Sequence, residues 1–400
     1  MATEILADDR ALRTGRRERA LAQMEAYDLD ILVLGRQANV RYVSGATQLW
    51  VAGTRPFAPN CVLSRKTGEI HLLSTWDEGI PEDIPHDHLY GIAWNPMNII
   101  EVLKEIEGAA TARRVGIDAL SPGFAELLPH AFPNAELIDA EVALRAARRI
   151  KTDDEITSIR EALQVAEIGL AAAVAELRPG IRDQRLTGVL LEAMAAGGVS
   201  TPATQDGAWI TSRDHHGRRA GGSGEVAAGD LVAFAAGVLD QGYTGEVGRT
   251  WPVGDVTDDT RALYRRSEAL REQLFAACVP GEPAGSLLSA YEAAGEPLPA
   301  TPVAHGLGLG FDPPVVSPHL PDTNASELLA PGMVLAVTSY VWAPGVGAVF
   351  GRDAVLITDH GHEVLTSAPW WTGYVAGDTV APNTMATNTA GPNDKEVSTA

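Results

Sequence analysis

Gly229-Asp-Leu-Val-Ala-Phe-Ala-Ala-Gly237 is the stretch on which the fold class turns. Its apolar core is bounded by glycines and is too short for an ordinary helix, so 230–238 reads as a buried strand. Strand-like runs at 207–211 and 249–253 flank it, and others follow at 332–338 and 353–358. Helical patterns at about 184–196 and 257–277 enclose the first three. Helices grouped with a largely hairpin-connected sheet predict α+β architecture here, not a doubly wound parallel sheet. The intervening Gly217-Arg-Arg-Ala-Gly-Gly-Ser-Gly-Glu-Val-Ala-Ala-Gly229 is a flexible loop by composition.

Toward the N-terminus, Lys151–Glu176 reads as a long helix, opened by the capping-box pattern Thr152-Asp-Asp-Glu155. The preceding 145 or so residues alternate: a helix over 9–27, strands at Asp30–Leu34, Ala58–Leu63 and Glu69–Leu73, a helix over 98–107, a strand at Arg114–Asp118 and a helix over 122–132. That alternation predicts an α/β domain. The last 25 or so residues, rich in Thr, Asn, Pro, Ala and Gly, read as a disordered tail. The expected domains are 1–148, 149–375 and the tail 376–400.

Composition narrows the function. With 45% hydrophobic and 21% charged residues, the 400-residue chain reads as soluble and globular. Lys and Arg total 31 against 52 Asp and Glu, a net charge of −21 that repels phosphate backbones and anionic lipid. Nucleic acid and membrane are therefore not expected as partners. Cys61 and Cys278 are too few for a disulfide framework and read as reduced thiols. No signal-peptide pattern and no run of 18 apolar residues is seen, so a cytoplasmic protein is expected.

Several blocks, in order, resemble the creatinase/aminopeptidase P/prolidase group, peptidase family M24. They are Asn39-Val-Arg-Tyr-Val-Ser-Gly45, Arg149-Ile-Lys151 with Glu155-Ile156, the stretch 229–237, Gly242-Tyr-Thr-Gly-Glu-Val-Gly-Arg-Thr250, His305-Gly-Leu-Gly-Leu-Gly-Phe-Asp-Pro313, Pro331-Gly-Met-Val-Leu-Ala-Val337, Asp353-Ala-Val-Leu-Ile-Thr358 and Gly361-His-Glu-Val-Leu-Thr366. The resemblance spans about residues 10–370. It implies a C-terminal pita-bread (methionine aminopeptidase-like) domain preceded by a smaller α/β creatinase-type domain, with Asn39–Gly45 as a turn. A homodimer is also implied.

Family metallopeptidases hold two divalent ions with Asp, Asp, His, Glu and Glu. Carried over residue by residue, these fall on Ala235, Glu246, His305, Thr338 and Arg352. A guanidinium cannot ligate a metal and repels one. A slip of register would bring in Asp353, Asp240 or Asp230 instead; the spacing disfavours it. The dinuclear centre is therefore expected to be absent, with neither metal nor cofactor, and proline-peptidase activity is the least favoured reading. The resemblance also supplies a metal-free precedent, creatinase, in which a His acts as general base and acid. Here the corresponding segment is Arg213-Asp-His-His-Gly217, with His216 the better match and His215 a near tie. His216, Glu246 and His305 are the catalytic candidates.

Arg352 reads either as the ion-pair partner of Glu246 in the former metal cavity or as the binder of a substrate carboxylate or oxyanion. Asp312, seven residues past His305, reads as a receiver for a substrate cation or as a local cap. Thr338, His215, Trp50, Tyr340 and Trp342 complete the substrate-binding candidates, and Trp209 and Tyr243 are further aromatics near the expected cleft. The leading expectation is metal-independent hydrolysis of an amide or guanidino C–N bond in a small amino-acid-like substrate. A lyase or rearrangement on a small carboxylate comes second, and a non-catalytic ligand- or peptide-binding pseudopeptidase third.

Overall fold

The computed structural model describes residues 9–46, 60–74, 77–91, 95–119, 121–199, 203, 207–320 and 325–373. Trp50 and the tail 376–400 lie outside them. The first domain opens with helix α1 (Arg10–Ala26), whose Asp9 side chain caps it by accepting from Ala11 N at 2.8 Å. Then come β1 (Ile31–Leu34), α2 (Gln37–Ser44), β2 (Cys61–Ser64), β3 (Ile70–Leu73), β4 (Leu89–Tyr90), α3 (Pro96–Glu105), β5 (Arg114–Ile117), α4 (Pro122–Leu127), β6 (Glu136–Asp139) and α5 (Glu141–Arg149). The strands form a six-stranded sheet in the order β4-β3-β2-β1-β5-β6. Asn39–Ser44 lies in helix α2 where the resemblance implies a turn. Val40, Tyr42 and Val43 are buried against the core, and Gly45, at φ 74°, ends the helix in the left-handed conformation that glycine adopts without strain.

The second domain runs through α6 (Asp153–Ala175), α7 (Asp183–Ala196), β7 (Ala208–Ile210), β8 (Leu231–Asp240), β9 (Tyr243–Pro252), α8 (Asp258–Ala276), α9 (Ser286–Ala293), β10 (Ala304–Gly308), β11 (Gly310–Val316), β12 (Val334–Ala343), β13 (Gly347–Thr358) and β14 (Gly361–Val364). Its eight-stranded sheet is ordered β11-β10-β12-β13-β9-β8-β7, with β14 on β13. Each ladder in it is antiparallel. This is a smaller α/β domain followed by a pita-bread domain, as the resemblance implies.

Thr152 caps α6 as its sequence predicts. Its hydroxyl accepts from Glu155 N at 3.2 Å, and Glu155 Oε2 accepts from Thr152 N at 3.0 Å. Thr152→Ala should lower the free energy of unfolding by about 1 kcal/mol, read by urea denaturation. An unchanged midpoint would mean that tertiary packing alone holds that end. The halves share one hydrophobic cluster, in which Leu32, Tyr42, Leu163, Tyr243 and Leu307 all take part. Fully buried Arg16 of α1 reaches the Tyr243 hydroxyl at 3.1 Å, and that hydroxyl lies 3.2 Å from Glu155 Oε1. Tyr243 is therefore a domain-joining residue, not a cleft aromatic. Among the described residues no helix is long and apolar enough to cross a membrane.

Candidate active site

The five positions singled out by the resemblance lie on five neighbouring strands. Ala235 of β8 pairs with Gly248 of β9, Gly248 with Arg352 of β13, and Arg352 with Thr338 of β12; His305 of β10 pairs with Ala336. Glu246 is two residues from Gly248. Strand alternation puts all five side chains on one face of the sheet. Arg352 Nη1 donates to Glu246 Oε2 at 2.8 Å, and its Nε donates to Thr338 Oγ1 at 3.2 Å. His305 Nε2 lies 3.4 Å from the same Glu246 oxygen. The carboxylate is 1% exposed. Burial pushes its pKa up, but the His305 hydrogen bond and the Arg352 charge outweigh that and hold it below its ordinary value.

Beside this polar row the face turns apolar. Ala233, Ala235 and Phe350 form a buried cluster against which Trp209 and Tyr340 pack. Phe350, two residues before Arg352 and on the same face, lies across Gly248; a Cβ there would run into its ring and stand 3.0 Å from Arg352 Cβ. Backbone geometry is held from behind by α9, where the Tyr291 hydroxyl donates to Thr338 O and accepts from Tyr340 N, both at 2.9 Å.

The segment 212–220 folds over the same edge. Tyr340 Oη accepts from Gly217 N at 3.0 Å, and Trp342 Nε1 donates to Ser212 O at 2.8 Å. These bonds pin the start of the glycine-rich loop. His216 sets its ring edge-to-face on Tyr340, 5.2 Å between centroids, and on Trp342 at 6.0 Å. Its Nε2 is buried with no hydrogen-bond partner among the described residues. His215 is exposed on the outside of the loop. The structure thus places His216, not His215, against the candidate aromatics.

Asp312 is a correction. It is 1% exposed and lies between Arg148 Nε at 3.0 Å and Lys151 Nζ at 3.3 Å. Both cations come from the domain junction, so Asp312 is a buried ion-pair centre instead of a receiver for a substrate cation. The glycine-rich run at His305 is the hairpin β10–β11. A Cβ on Gly306 would stand 2.7 Å from the carbonyl oxygens of Asp312 and Pro313, so only glycine lets the strands come that close. Phe350 and Tyr291 escaped the sequence reading. Strand alternation from Arg352 was the signal for Phe350; Tyr291, on a helix 47 residues from Thr338, carried none.

The alternative register is closed by direction. Asp353, one residue from Arg352, faces the other side of the sheet, where its Oδ1 accepts from Arg249 Nη2 at 2.7 Å and from Thr366 Oγ1 at 2.6 Å. Asp230 is held by Arg213 at 3.1 Å, and Asp240 lies at the far end of β8. As a test of fit, a pair of divalent ions needs several converging carboxylates. Among the described residues no three His, Cys, Asp or Glu side chains are so grouped. Ala235 has no ligand atom, and Arg352 puts a positive charge on the carboxylate that would have to bind. This donor set does not fit a dinuclear centre. A cavity of about 800 Å³ elsewhere, lined by Leu21, Asp30, Arg65 and Arg113 among others, shares none of these residues.

Comparison with known proteins identifies the family. The model of metallopeptidase family M24 matches residues 157–359, just over half of the chain, and that of the creatinase/prolidase N-terminal domain matches 16–150. An Xaa-Pro dipeptidase of Pyrococcus horikoshii is 26% identical over 86% of this chain and 94% of its own. The solved prolidase from Pyrococcus horikoshii OT3 aligns with TM-score 0.70 at 22% identity, over 89% of this chain and 99% of that one. An Xaa-Pro dipeptidase from Bacillus anthracis aligns with TM-score 0.72 at 21%, over 90% and 99%. At these identities the two structures speak for the fold alone. With both domain models matched in order over the two halves described above, the chain belongs to metallopeptidase family M24, a family of hydrolases that act on carbon–nitrogen bonds.

Proposed function

We propose that this chain hydrolyses an amide or guanidino C–N bond in a small, carboxylate-bearing, amino-acid-like molecule, by side-chain acid/base chemistry and without a resident metal. The observation that carries this reading is the Arg352–Glu246 pair at 2.8 Å, with His305 on the same carboxylate. Family membership supports hydrolysis. The donor set supports a metal-free route.

In this reading Arg352 binds the substrate carboxylate or the developing oxyanion, for which a guanidinium is the best-matched side chain. Thr338 and Glu246 hold that guanidinium in place. His216 takes a proton from water as its oxygen bonds to the scissile carbon. As the C–N bond breaks, the leaving nitrogen gains a proton from His305, whose ring Glu246 orients. Water is thereby divided between the two products, and both imidazoles exchange protons with solvent to reset.

Elemental analysis of the purified chain should find well below one transition metal per molecule, and chelator should leave turnover of N-acyl amino acids or guanidino acids intact. Stoichiometric manganese, cobalt or zinc, lost together with activity, would overturn the proposal. A second reading, metal-dependent cleavage before proline, is favoured by the name of the Pyrococcus horikoshii relative. It requires ions held by groups other than this row, and metal-stimulated turnover of Xaa-Pro dipeptides on the order of 1 s⁻¹ or more would establish it. A homodimer remains part of the proposal, checked by light-scattering mass in solution.

A further inference from the structure

Resting on the reading of this cleft as a metal-free site, we propose that its substrate class is an aromatic amide: a neutral planar ring on one side of an N–H, with the carboxylate on the other. Phe350 fills the space that Gly248 leaves open, and Ala233 and Ala235 lie buried against it. The Trp209 ring stands 5.4 Å from Phe350, tilted by 50°, while Tyr340 carries His216 edge-to-face. Trp209, Tyr340 and His216 are each half-buried. Aromatic rings gain from offset and edge-to-face neighbours beyond the area they bury. An aliphatic group would leave those geometries unused.

Two further observations fix the rest of the molecule. Glu246 is 1% exposed, yet its Oε1 has no hydrogen-bond partner among the described residues, while Oε2 serves Arg352 and His305. A buried carboxylate oxygen left bare is costly, and a ligand N–H satisfies it. The sign of the ring's charge also follows. Arg219 already lies over the Trp209 ring at 4.8 Å, and Arg352 lies 5.5 Å from the Phe350 ring. A cationic ring would meet like charge from both ends, whereas a neutral ring with a carboxylate tail meets none.

The test compares two probes that share amide N–H and carboxylate and differ only in phenyl against methyl: N-benzoylglycine and N-acetylglycine. Both are titrated calorimetrically into the full chain after chelator treatment, so no turnover is needed. N-benzoylglycine should bind at least about tenfold more tightly, the order expected for burying a ring against aromatic neighbours. Phe350→Ala should cut that ratio to about twofold or less, and Glu246→Gln should weaken both probes while preserving the ratio. Should Phe350→Ala fail to fold, Trp209→Leu must lower the ratio instead. Equal affinities in the wild-type chain, a ratio unmoved in the folded aromatic variant, or no saturable binding of N-benzoylglycine up to about 10 mM would each overturn the proposal. Metal-dependent hydrolysis would sink the metal-free reading while leaving this ratio standing, so the two failures are separable.

Discussion

Arg352→Ala should lower the free energy of unfolding by about 3–5 kcal/mol, and adding Glu246→Gln should restore a substantial part of it. The asymmetry comes from burial. Arg352 has 14% of its side chain exposed and Glu246 1%, so removing the cation leaves an anion in a nearly dry place with, among the described residues, only His305 as an ionic partner. Neutralising both removes the penalty together with the attraction. A double-mutant cycle by urea denaturation measures the coupling. Strict additivity of the single changes would mean that the two groups never touch in solution.

Acid offers an independent readout of the same pair. The pKa of Glu246 is depressed on folding, so its contribution to stability is fully present above the ordinary value of 4.5 and is lost as pH falls through the lower folded value. The wild-type chain should therefore lose more stability below about pH 4.5 than Glu246→Gln does. Parallel acid profiles for the two would contradict the depressed pKa.

The second large effect falls on rate. His216→Ala and His305→Ala should each reduce turnover by about 10²–10⁴-fold, the usual loss for a positioned acid or base. Affinity for an unreactive analogue should change far less, because neither imidazole is the main anchor in the proposed mechanism. His215→Ala serves as the control: its side chain is on the outside of the loop, and turnover should stay near wild type. Normal turnover in both His216→Ala and His305→Ala would remove acid/base catalysis by these residues.

Local signals carried much of the fold. Thr152 with Glu155 announces the start of α6, and the apolar run after Gly229 announces β8, because caps and short hydrophobic runs are decided by near neighbours. The helix at Asn39–Gly45 was hidden because it is only two turns long and its burial comes from tertiary packing. β10 was hidden because its glycines disfavour strands; they are there for the close approach of β11. For the cleft, the resemblance supplied positions 235, 246, 305, 338 and 352, which the strand pairing puts on one face. The engagement of Asp312 with Arg148 and Lys151 was not legible, since it joins positions 164 and 161 residues apart. Pairwise chemistry across such separations is written in the topology, not in any window of sequence.

The packing of Phe350 across Gly248 makes the present arrangement a ratchet. From here, any single step toward a five-ligand acidic row is uphill. An aspartate at 235 would press a carboxylate into the apolar Ala233–Phe350 cluster. A glutamate at 352 would set two anions against each other while leaving Glu246 without its cation. A glutamate at 338 would add a second anion to a row that holds one guanidinium. No first substitution is rewarded until an ion is present to be held, and no ion is held until several have been made. A laboratory path from this chain to a metalloenzyme should therefore require simultaneous changes at 235, 338, 350 and 352, and stepwise selection for metal-dependent turnover should stall at its first move.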